Sequence, residues 1–298
     1  MTRYLRYYFT PILLGLLTLN VAARGAGKGV IPFRVDSIGA PAYRSVAIIV
    51  SAEVNGVKAD FTLDTGASIH VVTPEMAEQL GLRMTDDSVS VAGNELTGAR
   101  RAIARRLKVG NIVMRNVPFY VMALDVAVPD SLQPYTRNLQ AILGLPLLKL
   151  LKTCDIDFDR HEIRSVKSEK TEAEERNLTY DSTLRTLLVE ARHTGERMPM
   201  LVDTGATHST LGHDFYAAHC HRLIADGEDS VIYAGYGGMV SGREYRLTDF
   251  EINIGHNYTS LPLITVFDSD YDQRLGMDYF SRFRHVWIDF RRMTLRVL

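Results

Sequence analysis

Short apolar-rich runs form two pairs in this chain, and the two pairs share one layout. The runs span residues 46–50 and 59–63 in the first pair and 184–189 and 198–202 in the second. Apolar and polar residues alternate in 59–63, and a period of two is typical of half-buried strands. Asn55-Gly56 lies between the first two runs, and Thr194-Gly195 lies between the other two. Because Asn-Gly between alternating runs is a strong signal for a tight turn, the pattern predicts two equivalent β-hairpins.

One tetrapeptide, Asp-Thr-Gly-Ala, follows the second predicted strand of each hairpin. Its copies comprise Asp64, Thr65, Gly66 and Ala67, and Asp203, Thr204, Gly205 and Ala206. At ordinary residue frequencies, a given tetrapeptide is expected in roughly one chain in two hundred of this length. Two copies in matching surroundings therefore indicate a duplicated unit. We expect the duplication to bring Asp64 and Asp203 together across a pseudo-two-fold axis.

Further landmarks recur in the same order along the chain. Ile-Leu-Gly at 142–144 matches Arg-Leu-Gly at 274–276, and Ile-Asp-Phe recurs at 156–158 and 288–290. A short helix is predicted after the first tetrapeptide, because the Thr-Pro-Glu at 73–75 is a typical helix start. The recurrence extends the duplication over most of the chain.

The duplication also defines the domain organisation. We assign residues 46–165 to an N-terminal lobe and residues 183–298 to a C-terminal lobe. The stretch 166–182 between them is rich in Lys and Glu, which predicts an exposed, charged linker. Residues 24–45 form a lead-in segment, in which 27–45 is either an inhibitory segment or a lead-in strand.

The first two dozen residues are typical of a signal peptide. Arg3 and Arg6 supply a positive start, residues 9–19 are apolar, and residues 21–23 offer a small-residue cleavage site. The apolar stretch is short for a membrane span. We therefore predict a signal peptide at 1–23 and export to the periplasm or the outside of the cell, with an uncleaved N-terminal anchor as the alternative.

Composition narrows the choice of partners. The chain has 298 residues and a formal net charge of −1 at pH 7, so nothing favours nucleic acid or an anionic membrane as a partner. We interpret the basic residues within 100–108 as solvated surface.

The two cysteines, Cys154 and Cys220, either pair between the lobes or remain as buried thiols.

The duplicated Asp-Thr-Gly-Ala after an apolar strand, with the apolar-apolar-Gly element downstream, resembles the retropepsin-like and pepsin-like aspartic proteases. The resemblance covers 46–165 and 183–298 and is closest to bacterial retropepsin-like proteins. It implies an all-β fold of two retropepsin-like β-barrel lobes related by pseudo-two-fold symmetry, with short helices. It also implies a monomer in which the two lobes pair, and an aspartic endopeptidase that acts on peptide or protein substrates without a metal or other cofactor.

The same resemblance makes Asp64 and Asp203 the catalytic residues. Two carboxyl groups about 3 Å apart cannot both ionise, so they share a proton and titrate as a pair. The ionised member takes a proton from a water molecule, and the protonated member donates to the carbonyl of the peptide bond. The pair is nearly symmetric in sequence, so which aspartate acts as the base stays open.

The resemblance also assigns supporting roles to the rest of each tetrapeptide. The hydroxyl groups of Thr65 and Thr204 are expected to reach backbone amides of the opposite lobe. Gly66 and Gly205 are expected to let the backbone turn tightly, so that its N–H groups approach the carboxylates.

Two alanines distinguish this chain from many pepsins. Ala67 and Ala206 stand where those enzymes carry a hydroxyl residue that hydrogen-bonds the aspartates. With fewer hydrogen bonds to the anion, we expect the shared proton to be held to higher pH. The predicted optimum is therefore mildly acidic.

A flap over the substrate is predicted at one glycine-containing turn in each lobe. The candidates are Gly93 in the first lobe and Gly235 and Tyr236 in the second. The alternative interpretation is that these are ordinary hairpin turns. The Gly-rich run of the second lobe follows no βα pattern, which argues against a phosphate-binding loop.

Two features leave rival interpretations open. Arg274 stands where the resemblance leads us to expect an apolar residue beneath the Asp loop. An arginine that points inward would distort lobe two and favour an inactive peptide-binding or interaction module, whereas one at the edge of the lobe would extend to solvent. The other feature is a set of possible metal ligands, comprising His208, His213, His219, Cys220 and His221. Their spacing fits no standard zinc pattern, so we interpret the histidines as surface residues and predict no metal site.

Overall fold

The computed structural model describes ten stretches of the chain. They are residues 23–24, 28–38, 45–91, 97–123, 140–169, 176–181, 185–223, 231–235, 238–268 and 273–298. Residues 1–22 of the predicted signal peptide lie outside the described residues. Among the described residues, no helix has both the length and the apolar character needed to cross a membrane.

The described residues of the lead-in segment and lobe one contain twelve strands and two short helices. The strands are β1 (Ala23–Arg24), β2 (Val30–Pro32), β3 (Arg34–Ile38), β4 (Ser45–Val54), β5 (Val57–Asp64), β6 (Val71–Val72), β7 (Arg83–Val91), β8 (Thr97–Val109), β9 (Ile112–Val121), β10 (Ala141–Gly144), β11 (Thr153–Asp157) and β12 (Glu162–Ser165). The helices are α1 (Pro74–Gln79) and α2 (Pro146–Leu151). Thr73 caps α1 as expected, since its hydroxyl accepts a hydrogen bond from the N–H of Met76 at 3.3 Å.

Six strands of lobe one close into a barrel in the order β9-β6-β10-β5-β4-β8, and pairing of β8 with β9 completes the circle. Strands β3 and β7 extend the barrel by pairing with β4 and β8. Alternate residues of β4 and β5 point into the barrel, where Ile48, Val50, Phe61 and Leu63 are buried with Phe119 of β9. Burial of this apolar face is the main force that closes the barrel.

In the part of the linker and lobe two that the structure describes, there are eleven strands, two short α-helices and one 3₁₀ turn. The strands are β13 (Leu178–Tyr180), β14 (Leu187–His193), β15 (Glu196–Val202), β16 (Thr210–Leu211), β17 (Val231–Gly235), β18 (Gly238–Gly242), β19 (Glu244–Ile254), β20 (Asn257–Phe267), β21 (Arg274–Leu275), β22 (His285–Asp289) and β23 (Thr294–Val297). The helices are α3 (His213–His219) and α4 (Met277–Phe280), and the 3₁₀ turn is Cys220–Arg222.

Lobe two repeats the barrel of lobe one. Its strands follow the order β14-β15-β21-β16-β20-β19, and pairing of β14 with β19 closes the circle. Strand β13 pairs with β14, so the part of the predicted linker from Leu178 to Tyr180 belongs to the sheet of this lobe. The predicted all-β fold of two homologous barrels is therefore confirmed.

Both predicted hairpins are present, with longer strands than the alternation indicated. Asn55 and Gly56 have φ values of 53° and 96°, and Thr194 and Gly195 have values of 48° and 88°. A left-handed conformation at both central residues is typical of a type I′ turn, whose twist suits a two-residue hairpin.

A five-stranded antiparallel sheet joins the two lobes in the order β2-β12-β11-β22-β23. Its central pair comes from different lobes, with Asp155 of β11 opposite Trp287 of β22. Strand β2 extends this sheet by pairing with β12. The described residues of the lead-in segment therefore contribute strands to the sheets. Cys154 is buried in this sheet, Cys220 is exposed, and the two are free thiols rather than a disulfide.

Candidate active site

Each aspartate lies where a strand ends beside a strand from later in the same lobe. In lobe one, β10 lies between β5 and β6, parallel to the first and antiparallel to the second. Gly144 of β10 is the Cα partner of Asp64 at the end of β5. In lobe two, β21 takes the same place between β15 and β16. The two Asp loops, 64–70 and 203–209, therefore start from equivalent positions of the barrels.

The glycine at the end of each central strand is required by the close approach of an Asp loop. A Cβ atom on Gly144 would lie 2.5 Å from the carbonyl oxygen of Ala67. A Cβ atom on Gly276 would lie 2.9 Å from the carbonyl oxygen of Ala206. Both distances are shorter than real Cβ contacts, so a side chain at either position would displace the loop that carries the aspartate.

The structure brings the carboxyl groups of Asp64 and Asp203 close enough for one to donate a hydrogen bond to the other. Each carboxyl group also lies against the glycine of the opposite tetrapeptide. A Cβ atom on Gly66 would lie 2.6 Å from Cγ of Asp203, and one on Gly205 would lie 2.7 Å from Oδ1 of Asp64. The predicted role of these glycines is therefore extended, because each one makes room for the aspartate of the other lobe.

The two threonines form reciprocal hydrogen bonds across the lobe boundary. The hydroxyl of Thr65 accepts from the N–H of Thr204 at 3.0 Å, and the hydroxyl of Thr204 accepts from the N–H of Thr65 at 3.1 Å. The same hydroxyls donate to carbonyl oxygens, Thr65 to Val202 at 2.7 Å and Thr204 to Leu63 at 2.9 Å. Because both side chains are buried, each of these four bonds satisfies groups that water does not reach. The network fixes one Asp loop against the other.

The two aspartates differ in the donors that hold them. Asp64 accepts hydrogen bonds from its own loop, including one from the N–H of Ala67 at 3.0 Å. Asp203 accepts through Oδ1 from the N–H groups of Gly205 and Ala206, each at 3.0 Å. Its other oxygen, Oδ2, accepts from the guanidinium of Arg274 at 3.0 Å. The arginine that departs from the repeat therefore points inward and contacts the pair.

Burial raises the pKa of Asp64 to about 8, with the negative charge of Asp203 and the hydrogen bond to Asp203 as further causes. Backbone N–H groups of Gly66 and Ala67 act in the opposite direction but with less effect. A pair in which one carboxyl group stays protonated agrees with the shared proton expected from the sequence.

The N–H group of each close-approaching glycine is held by a buried side chain that the sequence did not single out. In lobe one, the N–H of Gly144 donates to Nδ1 of His70 at 3.0 Å, and burial lowers the pKa of His70 to about 4. In lobe two, the N–H of Gly276 donates to the hydroxyl of Ser209 at 3.0 Å. Ser209 in turn donates to Asp278 at 2.7 Å. His70 and Ser209 lie at the same distance along the chain after the aspartate of their own tetrapeptide. This equivalence is the signal that could have identified them.

The flap prediction remains a prediction. Gly93 and Tyr236 lie outside the described residues. Gly235 ends strand β17, which pairs with β18 in a two-stranded ribbon separate from the barrel, with Gly235 opposite Gly238.

The histidines and the cysteine that were considered as possible metal ligands do not form a metal site within the described part of the chain. Nδ1 of His208 lies 3.0 Å from the hydroxyl of Thr207, and the ring of His219 packs on that of Phe215. One other group, formed by Asp155, Asp157 and His285 in the sheet between the lobes, has ligand atoms close enough to hold a cation.

That group is already neutralised by arginine. The guanidinium of Arg164 donates to Asp155 at 3.2 Å and to Asp157 at 2.9 Å, and Arg160 contacts Asp157 at 3.0 Å. We therefore interpret it as an ion-pair network of the sheet.

A family model described as aspartyl protease matches two segments of the chain, residues 50–147 and 189–279. Together these segments make up more than half of the chain and include both Asp loops. The match agrees with the duplication and confirms the resemblance found in the sequence.

Two solved structures resemble this one. The aspartic proteinase from Irpex lacteus is 14% identical, with 92% of this chain and 96% of that chain covered and a TM-score of 0.53, which shows a shared fold. A retropepsin-like aspartic protease from Rickettsia conorii is 22% identical over 48% of this chain and 94% of its own, with a TM-score of 0.30. No curated protein sequence matches the chain.

Proposed function

Because the chain belongs to the aspartyl protease family, we propose that it is an endopeptidase that hydrolyses peptide bonds with a water molecule activated between Asp64 and Asp203. The family and the fold support a peptidase role. The observation that carries the proposal is the pair of carboxyl groups, one from each lobe, fixed by the reciprocal threonine bonds. A pair that shares one proton supplies both a base and an acid at a single bound water.

The chemistry follows from this shared proton. The ionised carboxylate takes a proton from water as the water oxygen attacks the carbonyl carbon, and the protonated carboxyl donates to the carbonyl oxygen. The resulting tetrahedral diol then loses its amine, which takes up a proton from the pair. The backbone N–H groups of Gly205 and Ala206 keep Asp203 in place throughout. Preorganisation of this kind lowers the barrier, since the groups need no rearrangement during the reaction.

Substitution of either aspartate tests the proposal. Asp64→Asn and Asp203→Asn should each abolish cleavage of a mixed peptide library, because both proton positions are needed. A hydroxyl-bearing peptide analogue of the diol should bind the wild type far more tightly than the matching substrate does. Near-full activity in either variant would contradict the assignment. If the wild-type protein bound peptides without cleaving them, the chain would instead be an inactive peptide-binding module.

We further propose that the protein is exported and acts as a monomer. The support is the signal-like pattern of the first 23 residues and the presence of both Asp loops in one chain. Fractionation of cells that express the full chain, with N-terminal sequencing of the product, tests the first point. Sedimentation at several concentrations tests the second.

A further inference from the structure

We propose that Arg274 holds Asp203 as the ionised member of the pair, so that Asp203 acts as the base toward water and Asp64 acts as the acid toward the substrate carbonyl. The inference rests on the proposed peptidase function and adds to it an assignment that the near-symmetric sequence leaves open. Arg274 is a positioning residue in this scheme, since it acts through Asp203.

The first support is the set of contacts around each carboxyl group. Asp203 accepts from two backbone N–H groups through one oxygen and from a guanidinium through the other. Asp64 accepts from backbone N–H groups of its own loop and lies beside the charge of Asp203. The guanidinium adds a full positive charge at hydrogen-bond distance from Asp203, and a nearby opposite charge favours the ionised form of a carboxyl group. The negative charge is therefore more stable on Asp203.

The second support is the burial of the ion pair. The side chain of Arg274 is 20% exposed and that of Asp203 is 6% exposed. At this depth, solvent screens the pair much less than it screens a surface ion pair. Removal of one partner would leave the other charge buried, which is strongly unfavourable.

The third support is the contrast with lobe one at the matching position. In lobe two, β21 pairs with β15, and Arg274 is the Cα partner of Leu201. In lobe one, β10 pairs with β5 in the same way, and Ile142 is the Cα partner of Thr62. Ile142 is buried in a small apolar cluster with Val71. Lobe one therefore has an apolar residue where lobe two has a cation. This difference favours the negative charge of the otherwise symmetric pair on Asp203.

Other titratable groups near the pair do not reverse the preference for a negative charge on Asp203. Asp278 lies behind the Asp loop of lobe two, where Ser209 donates to it and burial raises its pKa. His70 lies behind the loop of lobe one, where burial lowers its pKa and favours the neutral form. His208 contacts the hydroxyl of Thr207 on the exposed side of the loop. Among the described residues, Arg274 is thus the cation bonded to the pair.

The assignment fixes the route of each proton. A C–O bond forms as the water oxygen attacks the carbonyl carbon, the water proton passes to Asp203, and the proton of Asp64 passes to the carbonyl oxygen. In the second step the C–N bond breaks, the proton on Asp203 passes to the leaving nitrogen, and a diol hydroxyl returns a proton to Asp64. The products are a carboxylic acid and an amine, and the pair is restored.

Thermal unfolding tests the charge assignment without a substrate. At pH 7, Asp64→Asn should keep the wild-type contacts, because its amide can donate to Asp203 as a protonated Asp64 does. Asp203→Asn places an amide opposite Arg274 and leaves the guanidinium without its counter-charge. We expect Asp203→Asn to lower Tm by at least about 3 °C more than Asp64→Asn. In an Arg274→Ile background, which copies lobe one, this difference should shrink to less than half.

Equal effects of the two asparagine substitutions, or a difference that persists in the Arg274→Ile background, would overturn the assignment. If Arg274→Ile does not fold, Arg274→Met gives the same comparison with an unbranched side chain. This outcome is independent of the peptidase proposal. A protein that shows the expected Tm pattern but cleaves no peptide refutes the function alone, and a peptidase without the pattern refutes only the assignment.

The pH profile of kcat/KM supplies the second test. Loss of the cation in Arg274→Ile should move the acidic limb upward by about one pH unit or more, because the ionised form is then less stable. Arg274→Lys retains a positive charge and should leave the limb closer to that of the wild type. A purely structural role would lower the rate over the whole profile and leave the limb in place, and that result would overturn the proposal.

Discussion

Lobe one and lobe two build the same Asp loop on the same strands but support it with different side chains. The N–H of the close-approaching glycine reaches a histidine ring in lobe one and a serine hydroxyl backed by Asp278 in lobe two. The positions of Ile142 and Arg274 differ even more, since one is apolar and the other is charged.

The contrast shows which parts of the loop are fixed by backbone geometry. Glycines, threonines and aspartates recur because close approach and reciprocal bonding admit few alternatives. The acceptor behind the glycine needs only a lone pair in the right place, so imidazole and hydroxyl both serve. A duplicated site can therefore become asymmetric in charge without a change in its backbone.

The largest effect is expected where the two lobes are most alike. Thr65→Val and Thr204→Val each remove a hydroxyl that accepts one hydrogen bond and donates another across the boundary. Each substitution should lower the free energy of unfolding by about 2–4 kcal/mol, because two buried groups lose their partner. Chemical denaturation measures this, with Thr65→Ser and Thr204→Ser as controls that keep the hydroxyl. Very unequal losses of stability would show that one threonine contributes more to the network than the other.

A smaller effect is expected behind the glycines, where the lobes differ. His70→Phe removes the acceptor for the N–H of Gly144 and should cost about 1–3 kcal/mol of stability, whereas His70→Asn keeps an acceptor in reach and should cost less. Ser209→Ala makes the matching change in lobe two. Denaturant titrations of the three variants compare the lobes directly. A loss from His70→Asn larger than that from His70→Phe would mean that ring packing against Phe119, rather than the hydrogen bond, is the main contribution.

The same histidine gives lobe one a characteristic response to acid. The pKa of His70 is lowered from 6.5 to about 4. Between these pH values, the histidine is therefore protonated in the unfolded chain but neutral in the folded state. Stability from this group is therefore present above pH 6.5 and is lost as the pH falls toward 4. His70→Asn should reduce the loss by about 1 kcal/mol or more, as measured by urea denaturation at pH 7 and pH 4. An unchanged loss would place the acid sensitivity elsewhere.

Asp64 has the opposite pH dependence. Its pKa is raised from 3.8 to about 8, so the folded state retains a proton that the unfolded chain has released. Stability therefore decreases as the pH rises through this interval. Relative to the wild type, Asp64→Asn should gain at least about 1 kcal/mol more at pH 8 than at pH 4. Tm measurements across this range test the point, and an equal gain from Asp203→Asn would erase the proposed difference between the two aspartates.

The smallest effect concerns the alanines that follow the glycines. Ala67→Thr and Ala206→Thr each introduce a hydroxyl next to a carboxylate, which should stabilise the anion. The alkaline limb of the pH–rate profile should therefore move downward by less than about one pH unit. A profile of kcat/KM for each variant beside the wild type shows the shift, and a limb that stays fixed or moves upward would contradict the electrostatic argument.

Much of this architecture can be predicted from the sequence because it depends on local geometry. The Asn-Gly turn, the helix start at Thr73 and the repeated tetrapeptide each carry their signal within a few residues. Strand β2 is harder, since three residues show no usable period and its partner β12 lies far along the chain. Strand β13 lies in a charged stretch and also has only three residues, which are too few to show a period.

The direction of a long side chain is the other limit. The sequence identified Arg274 as a departure from the repeat but left both inward and outward orientations open. Its orientation depends on Asp203, which directly follows the adjacent strand β15 rather than lying nearby in the chain. The acceptor role of His70 is likewise set by the approach of Gly144 from β10. Such roles arise from tertiary contacts and become visible only when the strands are in place.

The threonine network also bears on how the molecule unfolds. Each Asp loop takes hydrogen bonds from the other lobe, and the central pair of the joining sheet has one strand from each. If one barrel melted, the other would lose partners for buried backbone groups and one side of that sheet. We therefore expect neither lobe to fold on its own, and calorimetry should record a single cooperative transition whose van't Hoff and calorimetric enthalpies agree.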